Sequence, residues 1–457
     1  MSFDFTDTIA GIATAPGIGG VSIIRISGDQ ALTISKSLFR PTGRAISKRP
    51  RTLAHGWLQR DGQDLDEVLC VYMPGPHSFT AEDVIEVHCH GGAAVSHYCL
   101  ELAMACGARL SRAGEFTQRA FVNGRIDLTQ AEAIDDITKA KTALGLEISV
   151  NQLKGKLLNK IQELKEKVSW VLALVNASID FPEEDTLFAH KAEIEERLDW
   201  TQKELTQLLK NSEGSLLVKE GFKLALAGVP NAGKSSLLNG FLKEERAIVT
   251  ETAGTTRDII EEAIEVKGLP LILLDTAGIR ATTNEIEQMG IERSLKAMAQ
   301  ADLILWVIDS LEPSIDWDQK TLEAAADKPI FAIYNKMDLA KKEPKLDLPF
   351  NPARVSYISA HKPEDVDSLK LAIFDYVESH ISGLHEEASL TNLRQIAASK
   401  NALAATVQGL ESFHAGAGEE VISFELSELL RSLGEIVGET TPEEMLNQIF
   451  ANFCIGK

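Results

Sequence analysis

The residues Gly228-Val229-Pro230-Asn231-Ala232-Gly233-Lys234-Ser235 have the spacing G-x-x-x-x-G-K-S. Glycines at the fixed positions let backbone N–H groups wrap a β-phosphate. Lys234 can reach the β- and γ-phosphates, and the Ser235 hydroxyl can bind Mg2+. Alone, this pattern predicts a nucleoside triphosphatase. Asn335-Lys336-Met337-Asp338 selects the base, because in GTPases with Asn-Lys-x-Asp the aspartate accepts hydrogen bonds from guanine N–H groups. Ser359-Ala360 ends the next strand, where such proteins turn a backbone amide toward the guanine oxygen. Asp275-Thr276-Ala277-Gly278 reads as a phosphate-sensing strand end. Residues 250–258, TETAGTTRD, precede a strand and read as a switch, with Thr256 the natural second Mg2+ ligand once the loop closes on the γ-phosphate.

The nucleotide is therefore expected to lie against five short runs. They are Asn231, Ala232, Gly233, Lys234, Ser235 and Ser236; Thr250, Glu251, Thr252, Ala253, Gly254, Thr255 and Thr256; Asp275, Thr276, Ala277 and Gly278; Asn335, Lys336, Met337 and Asp338; and Ser359 with Ala360. Hydrolysis also needs a group that orients water and positive charge near the β–γ bridge. Many switches carry a glutamine after the glycine; here Ile279 follows Gly278, and an isoleucine cannot hold a water. Glu285 and Glu287 are the candidate acids downstream, and Arg257 and Arg280 the candidate cationic fingers. The residue types alone leave that choice open.

These motifs need strand ends and helix starts to hold them. From about 216 to 383 strand-like and helix-like runs alternate, which predicts a mostly parallel sheet with helices on both faces. Before this block, Leu146, Val150, Leu153, Leu157, Ile161, Leu164, Val168, Val171 and Val175 step by threes and fours, which predicts one long amphipathic helix. Pro182 breaks it. Helical periodicity returns after 388, so the α/β block reads as an insertion into a helical domain. Residues 1 to about 121 mix strand-like runs such as GGVSIIRISG and EDVIEVHCHGG with glycine-proline turns.

The chain has 457 residues, enough for roughly two to four domains. Its net charge of −21 gives no global attraction to nucleic acid. One stretch is basic: Arg40, Arg44, Lys48, Arg49, Arg51 and Arg60 occur with no acid between them, as a solvated loop or an RNA contact. Five cysteines without Cys-x-x-Cys spacing suggest a reducing compartment, and the absence of an apolar run near ~18 residues predicts no membrane span. The cytoplasm is the expected location.

The chain resembles the MnmE (TrmE) family of tRNA modification GTPases over essentially its whole length. GVPNAGKSSLLN, AIVTETAGTTRD, DTAGIR with EIEQMGIERS, and NKMD are similar to that family's GTPase block. APGIGGVSIIRISG, PGPHSFTAEDVIEVHCHGG and RAGEFTQRAFVNGRIDLTQAEAI are similar to its N-terminal part, and FCIGK to its C-terminus. The resemblance implies a multidomain α/β plus all-α chain. An α/β folate-binding and dimerisation domain would span 1–121, a helical bundle domain 122–215 and 384–457, and an inserted P-loop GTPase domain 216–383. It also implies a homodimer, a complex with the flavin-dependent MnmG (GidA) protein, and action on tRNA. The shared reaction adds an aminomethyl or carboxymethylaminomethyl group to C5 of the wobble uridine, using a tetrahydrofolate one-carbon unit.

The same resemblance implies that K+ replaces the arginine finger, with Asn231, Thr250, Thr252 and Thr255 as its ligands, and Ser235 and Thr256 serving Mg2+. Glu287 takes the water-orienting role. Arg25, Glu86, Arg125 and Lys457 map onto contacts to 5-formyltetrahydrofolate or another tetrahydrofolate derivative, and Cys454 onto a functional cysteine near that site. His88 and His90 share a strand face with Glu86 and read as pocket wall or ordinary packing, because a metal site needs more ligands. The competing reading is a GTP-switched RNA-binding assembly factor without modification chemistry, which the GTPase block alone permits.

Overall fold

The computed structural model describes residues 6–181, 190–242, 261–274, 294–315, 317–340, 342–344, 347–381, 388–454 and 456. Two compact units emerge. One comprises Met1–Thr138, Gln152–Thr201 and Asn401–Lys457; the other comprises Lys139–Asn151 and Gln202–Lys400.

The first unit contains a seven-stranded sheet of β1 (Ile9–Ile12), β2 (Val21–Ser27), β3 (Phe39–Pro41), β4 (Ala54–Arg60), β5 (Gln63–Met73), β6 (Val84–His90) and β7 (Arg109–Leu110). Its order is β3-β4-β5-β6-β2-β1-β7. Side chains alternate across it with period two. Ile85, Val87 and Cys89 of β6 join Ile24, Ile26 and Cys70 in a core, which the helices Ala31–Leu38 and Ala93–Ala105 help to build through Ile34, Leu38, Cys99 and Ala103. Glu86 and His88 take the alternate positions on β6 and stay half-buried. The basic stretch is not a bare loop. Arg40 pairs with Asp64 at 2.8 Å, Arg51 donates to the Pro74 and His77 carbonyls, and Arg60 donates to the Tyr98 hydroxyl.

The predicted helix through Leu146–Val175 is two helices, Ala143–Leu153 and Lys156–Asp180. Gly155 stands between them with φ 83°, a left-handed conformation that suits glycine and ends the first helix. The apolar stripe is therefore split. Leu157, Ile161, Leu164, Val168, Val171 and Val175 are buried on the second helix, which packs along the helix Glu419–Val437. On the first helix Leu144 and Ile148 are buried instead, while Leu146 is exposed.

A buried ionic cluster ties the first unit together. The helix Glu115–Val122 carries Glu115 and Arg119, both fully buried and one helical turn apart. Arg119 donates to Asp7 Oδ1 at 2.6 Å, to Glu82 Oε1 at 3.2 Å and to Glu115 Oε1 at 3.3 Å. Ser27 on β2 donates to the other Glu82 oxygen at 2.7 Å. Burial alone would push the Glu115 carboxyl up, but hydrogen bonds from Arg109 and the Arg112 amide hold it down at about 2. The helix Glu443–Ala451 adds Leu446 and Phe450, which cluster with Ala120, Leu128 and Ala131.

The second unit is an α/β layer. β8 (Phe222–Ala227), β9 (Glu261–Val266), β10 (Leu269–Leu274), β11 (Leu303–Asp309), β12 (Ile330–Asn335) and β13 (Arg354–Tyr357) form a sheet in the order β13-β12-β11-β8-β10-β9. Every pairing is parallel except β9 with β10. β10 and β12 are buried at every position, as expected of strands covered on both faces. Leu237, Phe241, Leu369 and Ile373 build one core, and Ala297, Met298, Trp306 and Tyr334 another.

Removing Arg119 takes a cation from the half-buried Glu82 and leaves the buried Glu115 to Arg109 and Arg112. Arg119→Met should destabilise the first unit by about 3–5 kcal/mol at pH 7, measured by urea unfolding. A loss below about 1 kcal/mol, the scale of an exposed pair, would refute the buried-cluster account. The Glu115 carboxyl is depressed on folding, so its contribution is complete above its ordinary 4.5 and is lost as pH falls toward 2.

Candidate functional site

The nucleotide motifs sit where β8 turns into the helix Lys234–Leu242. Gly228 has φ 133°, and a side chain there would overlap the Val307 carbonyl of β11. Asn231 and Gly233 also have positive φ, 63° and 99°. These left-handed residues curl the loop so that successive amides can face inward. Lys234 Nζ donates to the loop's own carbonyls, Gly228 at 2.7 Å and Val229 at 2.8 Å. Burial holds its ammonium below the ordinary lysine range.

Asn335, at the end of β12, is 2% exposed and uses both ends of its carboxamide. Its Nδ2 donates to Ala232 O at 3.0 Å, and its Oδ1 accepts from the Ala360 amide at 2.9 Å. One side chain thus links the phosphate loop, the Asn-Lys-x-Asp run and the Ser-Ala turn. The Ser359 amide donates to Asp365 Oδ2 at 2.7 Å. The expected amide for a guanine oxygen is therefore already hydrogen-bonded within the protein at both Ser359 and Ala360. Lys336, with φ 64°, reaches Asp309 Oδ2 at 2.6 Å. Burial pushes the Asp309 carboxyl up, but Lys336 together with the Leu311 amide holds it low. Asp338 is exposed, and its hydrogen bond with the Ser359 side chain holds its carboxyl below the ordinary range.

A cavity of about 180 Å³ opens beside this junction, lined by Ser236, Asn239, Gly240, Ala360, His361 and their neighbours. The structure thus brings Asn231–Ser236, Asn335–Asp338 and Ser359–Ala360 together. Thr250–Thr256, Asp275–Gly278, Glu287, Ile279, Glu285, Arg257 and Arg280 lie outside the described residues. Asp309 and Asp365 were not anticipated from the sequence. Only the position of Asp309, at the end of an apolar strand, could have signalled the former.

A second polar site lies on β2 and β6. Arg25 stands directly across the ladder from Glu86, and its Nε donates to Oε1 at 2.9 Å. The Arg25 guanidinium lies over the Phe79 ring at 4.6 Å and near the Phe116 ring at 5.6 Å. Arg125 covers Phe79 at 5.1 Å and donates to the Phe79 carbonyl at 2.6 Å. Phe79 is thus held by two guanidinium groups. Burial first, and then the nearby charge of Arg25, lower the Arg125 pKa. Phe79 and Phe116 were missed in the sequence, where isolated aromatics carry no signal for such stacking. His90 is drawn to Asp66 at 2.6 Å and exposed, and the described residues contain no group of three or more His, Cys, Asp or Glu fit for a metal.

Lys457 lies outside the described residues, and Cys454 is exposed. The Cys454 carbonyl accepts from the Gly114 amide at 3.4 Å. Gly114 caps the helix that carries Phe116, so the C-terminal tail reaches the wall of the Arg25 site. Gly456, at φ 91°, lies so close to the Ile12 carbonyl that a side chain would overlap it.

Residues 8–125 match the family described as GTP-binding protein TrmE N-terminus, and residues 128–454 match the MnmE helical domain. The chain is 42% identical over 459 residues to the tRNA modification GTPase MnmE of Clostridioides difficile (strain 630), covering 99% of each. It is 42% identical over 465 residues to the protein of that name from Moorella thermoacetica, again covering 99% of each. Against that of Desulfotalea psychrophila it is 39% identical over 469 residues, covering 100% of each.

Gly233→Ala would force a methyl into Asn335 Nδ2 at a backbone angle alanine resists. The variant should bind a fluorescent GDP analogue at least about tenfold more weakly, a cost of about 1.4 kcal/mol. Unchanged affinity in a titration would show that the Asn335 link does not hold the phosphate loop.

Proposed function

The chain belongs to the MnmE family of tRNA modification GTPases, and from that premise we propose that it hydrolyses GTP to drive modification of the tRNA wobble uridine. The observation that carries the reading is the Asn335 link, which joins the phosphate loop to both base-selecting motifs. In the proposed reaction Lys234 leaves its carbonyls for the phosphates, and Asp338 receives the guanine N–H groups. Asn231 and Ser235 fit as cation ligands, since neither side chain has a hydrogen bond among the described residues and both are exposed. Ser235 with Thr256 would hold Mg2+, and Asn231 with Thr250, Thr252 and Thr255 would hold K+. A potassium ion so held would supply positive charge near the β–γ bridge, where an arginine finger acts elsewhere. Glu287 would orient the attacking water.

For the N-terminal site we infer a tetrahydrofolate one-carbon derivative such as 5-formyltetrahydrofolate. Glu86 is a carboxylate suited to the N–H edge of a pterin, while Arg25, Arg125 and Lys457 offer charge for a glutamate tail. Arg25 has no hydrogen bond among the described residues beyond the one to Glu86, so most of its donors are unspent. The domain limits we propose are 1–121, 122–215 with 384–457, and 216–383. A homodimer, the MnmG flavoprotein as partner, and a cytoplasmic location complete the reading. The described cysteines, all free, agree with a reducing compartment.

Mass spectrometry of wobble-uridine nucleosides from cells lacking the protein tests the function as a whole. Loss of the aminomethylated species is expected; a normal nucleoside profile would leave an assembly factor instead. GTP turnover should be faster in K+ than in Na+ at equal ionic strength by more than about tenfold, and equal rates would remove the potassium ligands. Glu287→Ala should keep GTP affinity and lose about 100-fold in turnover. A variant near the wild-type rate would return the role to Glu285.

A further inference from the structure

We propose that His88 is a positioning residue of the N-terminal site, fixing the Glu86 carboxylate in the orientation that receives a ligand's paired N–H donors. The proposal rests on the folate reading above and adds a residue to it. β6 places Glu86 and His88 on one face, two residues apart, where Arg25 and Ile23 of β2 stand opposite them. Arg25 Nε grips only Oε1, at 2.9 Å. A carboxylate gripped at one oxygen can still turn about that contact. A ligand edge with two adjacent N–H groups needs both oxygens in one plane, so the second oxygen also requires a fixed neighbour.

His88 Nε2 is that neighbour. It lies 3.5 Å from Glu86 Oε2, beyond the ordinary hydrogen-bond range of about 2.7–3.2 Å. The same nitrogen is buried, and among the described residues it has no hydrogen-bond partner. Buried ring nitrogens rarely stay unsatisfied, and such an atom marks a contact still to be made. The ladder neighbours of His88 are the aliphatic Ile23 and Leu69. His90, next on the same face, is committed to Asp66. A small rotation of Glu86 as it takes up a ligand would close the gap. Arg25 would then hold Oε1 and His88 would hold Oε2, leaving the inner lone pairs of both oxygens for the ligand.

Calorimetry on the full chain tests this with 5-formyltetrahydrofolate in its monoglutamate and polyglutamate forms. His88→Ala should weaken both forms by the same factor, about tenfold, because His88 acts through Glu86 and not on the tail. His88→Gln keeps a side-chain N–H of similar reach and should restore affinity to within about threefold of wild type. Arg25→Ala serves as the control that abolishes the grip on the other oxygen. Wild-type affinity in His88→Ala, or no rescue by His88→Gln, would overturn the role of His88 while leaving the folate reading intact. Absence of binding to the wild type would overturn the folate reading and this inference together.

Discussion

A buried polar side chain must find its partners where it lies, and the Asn335 carboxamide does so by joining three loops. At 2% exposure it has no water to fall back on. Its two hydrogen bonds fix Ala232 and Ala360 at the same time. Gly233 must then be a glycine, because Asn335 Nδ2 occupies the space of its side chain. The phosphate loop, the base-selecting run and the Ser-Ala turn are thus one object. One buried side chain holds their geometry together.

The first unit uses the same device with full charges. Arg119 gathers Asp7, Glu82 and Glu115, which come from the chain's start, the segment before β6 and its own helix. Glu82 is shared with Ser27 of β2, so the cluster fixes the strand that presents Arg25. The helix of Arg119 also carries Phe116 under the Arg25 guanidinium. A buried cluster of this kind contributes little net stability over apolar packing, yet losing one member is costly. Its value lies in specifying one arrangement of the segments around the Arg25 site.

The sheet of the second unit and its motifs were legible because they depend on local rules: apolar runs, glycines at fixed spacing and short polar strand ends. The break at Gly155 was not, since the apolar steps run on through it from Leu153 to Leu157 and only the backbone angle separates the helices. Nor could spacing reveal that Ala360 donates to Asn335, or that Phe79 lies between Arg25 and Arg125. Those contacts join residues far apart in sequence, and a single sequence carries no record of such pairing. Arg25 and Glu86 were named through family likeness, and the ladder places them face to face.

The distribution of charge bears on how such a chain could meet RNA. With a net charge of −21, long-range attraction to a polyanion is absent. The one basic stretch is already partly spent: Arg40 on Asp64, Arg51 on two carbonyls, Arg60 on Tyr98. Arg44, Lys48 and Arg49 remain exposed, a small patch beside a large excess of acid. The cations at the two sites are held for other work, Lys234 within the phosphate loop and Arg25 with Arg125 around Phe79. Phosphate contacts dominate affinity for nucleic acid, so this partly spent stretch is a weak basis for holding a tRNA.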